Sequence, residues 1–240
     1  MSESNIYETR RLLDEYLLFH YGQAGEVMPW SFGPKEALGF AVRTVSELIG
    51  EGAAGRALDL GCAVGRSSFE LAGRGYDVTG IDYSHSFIEA ARRLQQGEAL
   101  AYDRLDEGSL RTPLVAKATP GARLHFEQGD AMNLRADLGR FDLVHAANLL
   151  CRLTHPQQLI ERLPDLVAPG GQLLLTTPCT WLADFTPPKN WPQGSTRDWL
   201  SGKLATHFTL ELEKDLPFLI REHARKYQWS VAWGTRWRRR

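Results

Sequence analysis

Residues 58–66 of this chain read Leu58-Asp59-Leu60-Gly61-Cys62-Ala63-Val64-Gly65-Arg66. The stretch is an apolar strand that ends in small residues able to form a tight turn. Because glycine has no Cβ atom, Gly61 and Gly65 let the backbone turn sharply and lie close to a ligand. Helix-compatible residues follow. This strand–turn–helix pattern is typical of nucleotide-binding α/β proteins, although a glycine-rich turn alone does not distinguish between their classes.

Two further strand ends downstream of this turn carry an acidic residue. The apolar strand that begins at Val78 ends at Asp82, roughly twenty residues after the turn. In nucleotide-binding α/β folds an acid in this place binds ribose hydroxyls. A third acid, Asp130, follows the strand pattern that contains Phe126. The acids predict a nucleotide-like cofactor bound across neighbouring strand ends.

The composition is that of an ordinary globular protein. The 240 residues are enough for one domain with a sizeable core, and 43% of them are hydrophobic. The 28 Lys and Arg nearly balance the 29 Asp and Glu, which argues against a general nucleic-acid binder. No apolar run approaches the roughly 20 residues of a membrane span, and the polar N-terminus is unlike a signal peptide. We therefore expect a cytoplasmic protein with neither a membrane nor a nucleic-acid partner.

Cysteines and the basic C-terminus add little to the functional prediction. Cys62, Cys151 and Cys179 show no metal-ligand spacing, so we expect reduced thiols and no metal site. The arginines among residues 236–240 are predicted to form a solvated basic end.

Strand and helix patterns alternate along the chain. Strands are predicted at 56–60, 77–81, 123–127, 141–146 and 171–177, with two later ones at 207–213 and 227–235. Helices are predicted at 5–20, from Pro34 to Ile49, and at 65–73, 85–96 and 155–166. Such alternation implies a mostly parallel sheet that is covered on both faces. Residues 100–122 are predicted to be an excursion over the surface.

The three acidic strand ends resemble motifs I, II and III of the class I S-adenosylmethionine (SAM)-dependent methyltransferases. This resemblance implies a Rossmann-like α/β fold with a seven-stranded, mostly parallel sheet. Its last strand is expected to be antiparallel and inserted into the sheet. We expect a single domain over residues 1–240, with an N-terminal helical lid at 1–50 and the Rossmann-like core at 51–240.

The same resemblance implies SAM as the cofactor and S-adenosylhomocysteine (SAH) as its product. In this family the glycine-rich turn holds the methionine part, the second acid the ribose and the third acid the adenine amino group. The residues expected at the cofactor are Asp59, Gly61, Ala63, Gly65, Asp82, Tyr83, Ser84, Asp130, Ala131 and Ala147.

Stretches outside these motifs resemble the 4-mercaptohistidine N1-methyltransferases of ovothiol biosynthesis, often found as the C-terminal domain of a bifunctional 5-histidylcysteine sulfoxide synthase. The most specific match is the run Leu216-Pro217-Phe218-Leu219-Ile220-Arg221-Glu222-His223-Ala224-Arg225-Lys226-Tyr227-Gln228-Trp229-Ser230-Val231. Further matches lie at residues 16–22, 58–71, 126–131, 146–153 and 176–182. The resemblance implies N-methylation of the imidazole ring of 5-thiohistidine to give ovothiol A, with a separate sulfoxide synthase acting upstream.

Residues 147–152 and 177–181 are predicted to lie beyond the carboxyl ends of the strands, where open α/β sheets bind ligands. If the last two strands form a hairpin, as the resemblance implies, the connection at residues 214–226 lies there too. Asn148 is a candidate for substrate binding and catalysis, with a helix cap as the structural alternative. Arg152 is a second candidate, because its planar fork can bind both oxygens of a carboxylate; a surface ion pair is the alternative. Arg221 and Arg225 compete with Arg152 for the substrate carboxylate.

His20 and Tyr21 end the first predicted helix and complete the catalytic candidates. His20 is a candidate ring base, with a packed or capping histidine as the alternative. Thr180 and Trp181 are candidates for the substrate pocket, although core packing is the default role of a tryptophan. His145 falls in a core strand pattern and is expected to be structural.

Two other functions are compatible with the sequence. The chain is either another small-molecule methyltransferase, acting on a different amino acid, an acid or a phenol, or a non-catalytic sensor of SAM or SAH. A sensor would keep the cofactor acids but would not need Asn148 or Arg152. A Rossmann dehydrogenase is disfavoured, because the turn lacks the G-x-G-x-x-G spacing. A sulfur and a selenium substrate are equally compatible with the sequence.

Overall fold

A computed structural model of the chain describes residues 6–121 and 123–240. The described strands are β1 (Arg56–Leu60), β2 (Asp77–Asp82), β3 (Leu100–Glu107), β4 (Leu110–Ala116), β5 (Leu124–Gln128), β6 (Phe141–Ala147), β7 (Val167–Thr177), β8 (Phe208–His223) and β9 (Lys226–Arg239). The described α-helices are α1 (Arg10–Tyr21), α2 (Ala24–Val27), α3 (Phe40–Ser46), α4 (Arg66–Gly73), α5 (His85–Gln95), α6 (Pro156–Leu166) and α7 (Thr196–Leu204). Short 3₁₀ turns lie at Ile6–Glu8, Lys35–Ala37, Ala136–Leu138, Leu150–Arg152 and Pro188–Asn190.

A seven-stranded sheet in the order β5-β2-β1-β6-β7-β9-β8 forms the centre of the protein. The strands from β5 to β7 pair in parallel, whereas β9 runs antiparallel to β7 and to β8. This topology confirms the predicted Rossmann-like methyltransferase fold, including the inserted antiparallel last strand. The carboxyl ends of the parallel strands meet at one edge of the sheet, which we call the rim.

Helices cover both faces of the sheet, which explains why its central strands are apolar along their length. On one face, Val45 of α3, Leu71 of α4 and Leu94 of α5 belong to a single buried cluster. On the other face, Leu163 of α6 and Leu200 of α7 belong to a second buried cluster. None of the described helices is long and apolar enough to cross a membrane.

The N-terminal helices differ in their limits from the prediction. The first helix, expected over residues 5–20, begins only at Arg10, because the Thr9 side chain caps it by accepting a hydrogen bond from the Leu12 amide; residue 5 lies outside the described residues. The helix expected from Pro34 to Ile49 is wrong in its first half. Gly39 adopts a left-handed conformation (φ +65°), which an α-helix does not contain, so α3 begins after it.

Residues 100–116 form a β-hairpin, and the prediction of a surface excursion over 100–122 is therefore wrong for this part. Strands β3 and β4 pair antiparallel from Leu100↔Ala116 to Glu107↔Leu110. Leu100 and Tyr102 are buried, so one face of the hairpin packs against the body of the protein. Their alternation with more polar residues is the period-2 pattern of a half-buried strand.

The last two strands form a hairpin that is much longer than predicted. Residues 214–226, expected to be a connection at the rim, are mostly continuous strand. Asp215 pairs with Trp233, which in turn pairs with Thr177 at the end of β7. The hairpin therefore continues past the rim for about eight residues per strand, and it packs against α1, the Lys35–Ala37 turn and β3. Helix α7, which the sequence analysis did not predict, precedes it.

The basic C-terminus is not the solvated end that its composition predicted. Arg236 and Arg238 both pair with Glu211 of β8, at 3.0 and 2.9 Å. Arg239 donates a hydrogen bond to the Pro164 carbonyl at the end of α6. These arginines therefore bind the final strand to its neighbours.

The ring of Phe126 in β5 explains why positions 65 and 80 are occupied by glycine. A Cβ atom built on Gly80 of β2 would lie 2.7 Å from two ring carbons of Phe126, and one built on Gly65 would lie 2.8 Å from its Cζ. Real Cβ atoms do not approach other atoms so closely. The aromatic ring thus occupies the space that the two absent side chains leave between β2, β5 and the start of α4.

Replacement of Gly80 by Ala should destabilise the protein by about 1–3 kcal/mol, because the new methyl group overpacks against Phe126. In a Phe126→Leu background the same replacement should cost clearly less, since the clashing ring carbons are gone. Urea unfolding of the parent, the two single variants and the double variant measures how the two replacements are coupled in the free energy of unfolding. Gly202→Ala in α7 is the control, because nothing lies within 4 Å of its Cβ position; equal costs of Gly80→Ala in both backgrounds would contradict the packing argument.

Candidate active site

The turn between β1 and α4 is fastened to the end of β2. Gly61, Ala63 and Gly65 all have left-handed backbone conformations, with φ of +68°, +49° and +85°. This conformation is easy for glycine but costs roughly 1–3 kcal/mol for a residue with a side chain. The amides of Gly61 and Cys62 both donate to the Ile81 carbonyl, at 2.8 and 3.1 Å. The neighbouring strand thus helps to hold Ala63 in its strained conformation.

The Asp82 carboxylate bridges the two strand ends. Its Oδ2 accepts a hydrogen bond from the Ala63 amide and its Oδ1 one from the Ser84 amide, both at 2.9 Å. Each carboxylate oxygen has a further lone pair available. Burial raises the pKa of Asp82 to about 6, because the low-polarity surroundings disfavour the charged form. A hydroxyl group that donates a hydrogen bond to Asp82 would therefore favour the ionised form of this acid.

Asp59 lies in a buried network beneath the turn. Its Oδ2 accepts a hydrogen bond from Ser68 Oγ at 2.6 Å, and its Oδ1 lies 2.7 Å from His145 Nδ1. His145 Nε2 in turn lies 3.0 Å from Thr44 Oγ1. Each carboxylate oxygen thus has one partner within the protein, and Asp59 is 1% exposed, so that a ligand cannot reach its remaining lone pairs. The expected direct contact of Asp59 with the cofactor is therefore corrected to a positioning role, and His145 is structural as expected.

Ser84 and Tyr83 follow Asp82 but differ in what they can reach. The Ser84 side chain is buried and caps α5 by accepting a hydrogen bond from the Phe87 amide at 3.2 Å. Its expected role as a cofactor ligand is therefore corrected to that of a helix cap. Tyr83 is 60% exposed at the rim, so its ring is accessible to a ligand from solvent, and its cofactor role stays a prediction.

The other expected cofactor residues lie at neighbouring strand ends. Asp130 follows β5, and its Oδ1 accepts a hydrogen bond from the Met132 amide at 2.8 Å. Ala131 and Ala147 are half-buried beside it and at the end of β6. Their contact with a cofactor stays a prediction.

Helix α1 brings His20 and Tyr21 over the turn. The Tyr21 hydroxyl donates to the Val64 carbonyl at 2.8 Å, and burial raises the pKa of Tyr21 well above its usual range. The phenol is thus a protonated donor that positions the turn. Burial lowers the pKa of His20 to about 4, so its imidazole is neutral near pH 7. Its Nδ1 is buried and has no hydrogen-bond partner among the described residues.

Asn148 is held in an unusual conformation directly after β6. Its φ is +53°, in the left-handed region that Asn tolerates better than most residues. Its side-chain Oδ1 accepts a hydrogen bond from Thr176 Oγ1 at 2.8 Å, and its backbone N–H donates to the Thr176 carbonyl at 2.9 Å. These bonds hold Asn148 against β7, and the NH₂ group of its side chain remains available as a donor.

Arg152 carries an uncompensated charge at the rim. Its guanidinium lies 4.7 Å from the centroid of the Phe185 ring. Its Nη1 donates to the carbonyls of Cys151 and Thr180, at 3.2 and 3.4 Å. Within residues 6–121 and 123–240, no Asp or Glu forms an ion pair with it. The structure thus brings Arg152 and Thr180 together as expected, and the surface ion pair considered as the alternative is absent.

Arg221, another predicted anchor for a substrate carboxylate, already binds groups within the protein. It is 5% exposed, and it pairs with Asp106 of the β3–β4 hairpin at 2.8 Å. It also donates to the Glu26 carbonyl at 2.9 Å. The prediction of a substrate-binding Arg221 is therefore wrong, because the charge joins the two hairpins to α2.

Arg225 and Trp181 also have structural surroundings. Arg225 lies at the tip of the β8–β9 hairpin, with its guanidinium 5.5 Å from the Trp30 ring centroid, and the structure does not bring it to Arg152. The Trp181 indole packs edge-on against Trp199 at 6.1 Å and donates a hydrogen bond to Thr196. Trp181 therefore packs against α7, as the default reading of a tryptophan predicts.

Four residues at the site were missed by the sequence analysis: Tyr7, Glu8, Tyr16 and Phe185. The ring of Tyr7 lies 6.1 Å from Tyr16 and 6.2 Å from Phe185, between centroids. Burial raises the pKa of Tyr16, and the charge of the nearby Asp82 adds to this effect. The i, i+4 spacing of Tyr16 and His20 places both on one face of α1, which was the available signal. Nothing in the local sequence indicates that Tyr7 or Phe185 reaches the rim.

Comparison with known proteins gives the family. A profile of methyltransferase domains matches residues 35–223, most of the chain. Ubiquinone biosynthesis O-methyltransferase of Coxiella burnetii is 29% identical over 120 residues, which are 50% of this chain and 42% of that protein. The Pseudomonas aeruginosa protein of the same name is 31% identical over 124 residues, 51% of this chain and 44% of that protein. The chain thus spans less than half the length of these curated relatives.

Solved structures share the fold. One, from work on the conversion of a disulfide bond into a thioacetal group during echinomycin biosynthesis, has a TM-score of 0.55 at 21% identity and covers 96% of this chain and 93% of that one. A SAM-dependent methyltransferase from Methanosarcina mazei has a TM-score of 0.53 at 18% identity, covering 77% and 92%. With the profile match and the strand order, these findings show that the chain belongs to the class I methyltransferases, enzymes that use SAM as their cofactor.

Proposed function

We propose that this protein transfers the methyl group of SAM to an imidazole nitrogen of 5-thiohistidine, the nitrogen beside the amino-acid side chain, and so forms ovothiol A and SAH. The observation that carries this proposal is Arg152, a half-buried cation at the rim without an acidic partner among the described residues. A cation in such a place favours a substrate with a carboxylate, as an amino acid has. The resemblance of residues 216–231 to the ovothiol enzymes supports the choice of amino acid.

The residues after β1, β2 and β5 fit the cofactor. The free lone pairs of the Asp82 carboxylate suit the two ribose hydroxyls, and burial raises the pKa of this acid in spite of its two amide donors, so that further donors would favour its ionised form. The backbone of the turn at Gly61, Ala63 and Gly65 is proposed to hold the methionine part. Asp130 is proposed to accept from the adenine amino group, with Ala131, Ala147 and Tyr83 beside the ring.

The residues after β6 and β7 are proposed to bind the substrate. Arg152 would hold the carboxylate, and the carbonyl of Thr180 steadies its guanidinium. Asn148 would direct its NH₂ group to a polar atom of the substrate, since Thr176 already occupies its oxygen. Both residues follow β6 directly, and Thr176 binds Asn148 to β7, so the substrate contacts share one rigid base.

Methyl transfer of this kind depends mainly on alignment. SAM, when bound, supplies an electrophilic methyl group on a sulfonium sulfur. The protein has to hold the ring nitrogen in line with the breaking bond, and orientation can supply roughly 7–11 kcal/mol of the barrier reduction. The nitrogen loses its proton in the process, and the neutral imidazole of His20, whose Nδ1 has no partner among the described residues, is proposed to accept it.

The sulfur atom of 5-thiohistidine is intrinsically a better nucleophile than its ring nitrogen. Selectivity must therefore come from the position of the substrate. A carboxylate fixed on Arg152 would set the distance from the backbone end of the substrate to the ring, so that the nearer nitrogen faces the methyl group. The substrate would come from a separate sulfoxide synthase pathway, as the resemblance implies.

O-methylation of a different small molecule is the second candidate. It is favoured by the curated relatives, which are named ubiquinone biosynthesis O-methyltransferases. Arg152 then serves an acidic substrate of another kind, and the neutral His20 takes the proton from a hydroxyl group.

The decisive experiment is incubation of the purified protein with SAM and 5-thiohistidine. Mass spectrometry should detect one added methyl group, two-dimensional NMR should place it on the ring nitrogen next to the side chain, and a thiol reagent should still react with the product. Histidine should be a much poorer substrate. Methylation of sulfur, or equal turnover of histidine, would refute the ovothiol function; turnover of phenols only would favour O-methylation, and binding of SAM without any turnover would indicate a sensor.

Replacement of Arg152 by Lys should raise the KM for 5-thiohistidine by on the order of tenfold and leave SAH affinity unchanged. Lysine keeps the charge but lacks the two-pronged geometry that binds both carboxylate oxygens. Steady-state kinetics and calorimetry measure the two effects. Arg93→Lys is the control, because Arg93 pairs with Glu98 at the surface. If Arg152→Lys keeps the parental KM, the carboxylate is bound elsewhere.

The affinity for SAH should fall as the pH decreases below about 6. Ribose hydroxyls donate to the ionised form of Asp82, so the carboxyl group has a lower pKa in the complex than in the free protein, and below the free value of about 6 a proton must be displaced for binding. Calorimetry between pH 5 and 8 measures the trend.

Asp82→Ala should weaken SAH binding at pH 7.5 by about 1–3 kcal/mol and should abolish this pH dependence. Asp77→Ala, at the exposed start of the same strand, is the control. Unchanged affinity in a folded Asp82→Ala variant would exclude Asp82 as the ribose ligand.

A further inference from the structure

The segment Ile6–Glu8 is bound to the start of α5, the helix that directly follows the Asp82 strand end. The Glu8 carboxylate accepts hydrogen bonds from the amides of His85 and Ser86, at 2.8 and 3.1 Å. The Tyr7 carbonyl accepts hydrogen bonds from the hydroxyls of Ser84 and Ser86, both at 3.1 Å. A carboxylate on free amides at a helix start is also favoured by the helix dipole. The four bonds fix the carbonyl group of Tyr7 and the residue that follows it.

Three aromatic contacts hold the Tyr7 side chain at the rim. Its ring packs edge-on against Tyr16 of α1 and Phe87 of α5, at 6.1 and 5.9 Å between centroids, and it lies 6.2 Å from Phe185. Phe185 is also the ring beneath the Arg152 guanidinium, at 4.7 Å. Tyr7 and Arg152 thus converge on one phenyl ring, although they lie far apart in the sequence.

The electrostatics of Tyr7 agree with this geometry. Burial raises the pKa of Tyr7, while the charge of Arg152 and a hydrogen bond with it act in the opposite direction. Asp82 and Cys151 also act on the phenol and raise its pKa further, and a side-chain hydrogen bond joins Tyr7 to the titratable Tyr16. Arg152 is therefore the cation that the Tyr7 hydroxyl faces.

We propose that Tyr7 is a positioning residue for substrate binding: its hydroxyl accepts a hydrogen bond from the Arg152 guanidinium and holds that fork in the orientation that receives the substrate carboxylate. The proposal rests on the proposed amino-acid substrate. Phe185 determines the plane on which the guanidinium lies, and the Tyr7 hydroxyl fixes its rotation in that plane. Glu8 acts indirectly, because its hydrogen bonds to the first amides of α5 hold Tyr7 in place.

This arrangement gives the protein a means to recognise one end of the substrate. An arginine side chain without an acidic partner loses considerable rotamer freedom when it binds a ligand. A neutral hydroxyl can orient the guanidinium without cancelling its charge, whereas an Asp or Glu partner would compete with the incoming carboxylate. The described surroundings of Arg152 include carbonyl groups, the Cys151 thiol, a phenyl ring and the Tyr7 phenol but no Asp or Glu partner, and they meet this condition.

The first test compares Tyr7→Phe on two substrates. With 5-thiohistidine, KM should rise by on the order of tenfold and kcat should change less than twofold, since a hydrogen bond to a charged group is lost. With 5-thiohistamine, which lacks the carboxylate, Tyr7→Phe should have no effect on KM. Tyr227→Phe is the matched control, because it removes a phenol hydroxyl that takes part in a hydrogen bond in the distant hairpin, where it donates to the Ala224 carbonyl. Equal effects on both substrates, or none, would refute the proposal.

The second test examines the attachment to α5. Glu8→Gln replaces one acceptor oxygen by an NH₂ group that faces an amide donor, so it should produce the same carboxylate-dependent rise in KM, smaller than that of Tyr7→Phe. Glu15→Gln is the control, because Glu15 pairs with Arg11 on the same N-terminal segment without touching α5. An effect of Glu8→Gln on both substrates alike would show that Glu8 acts on the whole lid.

A third measurement does not require turnover. In protein with ¹⁵N-labelled arginine, the Nε–H signal of Arg152 is identified by its loss in Arg152→Lys. Its exchange with water should be slow in the parent protein, faster in Tyr7→Phe and unchanged in Tyr227→Phe. Equal exchange rates in the parent and Tyr7→Phe would overturn the proposal. Failure of the parent protein to methylate 5-thiohistidine, with the exchange difference present, would refute the proposed substrate and leave the Tyr7–Arg152 contact established.

Discussion

The hydrogen bond from the Ala63 amide to the Asp82 carboxylate is the interaction on which the site depends. It joins the turn after β1 to the end of β2, and the Ser84 amide extends the bridge into α5. Ala63 adopts a left-handed conformation that is unfavourable for a residue with a side chain, and the bridge is one of the bonds that hold it there. The cost is a buried carboxylate with a raised pKa. A carboxylate that is poorly solvated in the free protein is well suited to accept hydrogen bonds from hydroxyl groups of a ligand. The strained turn and the proposed cofactor binding therefore depend on the same carboxylate.

The N-terminal segment closes the rim through contacts to two different parts of this bridge. Tyr21 donates to the Val64 carbonyl in the turn, whereas Glu8 binds the first amides of α5. The N-terminal segment is therefore attached to the same two elements that Asp82 joins. The turn and the N-terminal segment thus form one connected unit, and order in one supports order in the other. His20, buried between them with a free nitrogen among the described residues, is the polar atom that this closure leaves unsatisfied.

The part of the rim that follows β6 and β7 is built differently. Asn148 and Arg152 follow β6, and Thr176 of β7 immobilises the first of them. Arg152 lies on Phe185 and against backbone carbonyls, so its charge is supported without being neutralised. Arg221 shows the opposite case, because its pairing with Asp106 makes it a structural link between two hairpins. Two arginines that are equally plausible anchors in the sequence thus differ in the one property that matters for binding an anion, the presence of an acidic partner.

The sequence alone predicted a mostly parallel sheet and strand ends at one rim, because apolar periodicity and small residues at turns are local properties of the chain, and the resemblance supplied the seven strands and the inserted antiparallel last strand. It also indicated Asn148, Arg152 and the lid residues His20 and Tyr21. Only the tertiary structure decided which polar groups are free: Asp59 is used by Ser68 and His145, and Arg221 by Asp106. The reach of Tyr7 to the Arg152 rim was likewise decided by the fold, whereas the β3–β4 hairpin is a local pairing whose period-2 alternation is present in the sequence. The contacts of Asp59 with His145, of Arg221 with Asp106 and of Tyr7 with the Arg152 rim join residues far apart in the chain, and a residue type does not record whether its hydrogen-bonding capacity is already satisfied by a distant neighbour.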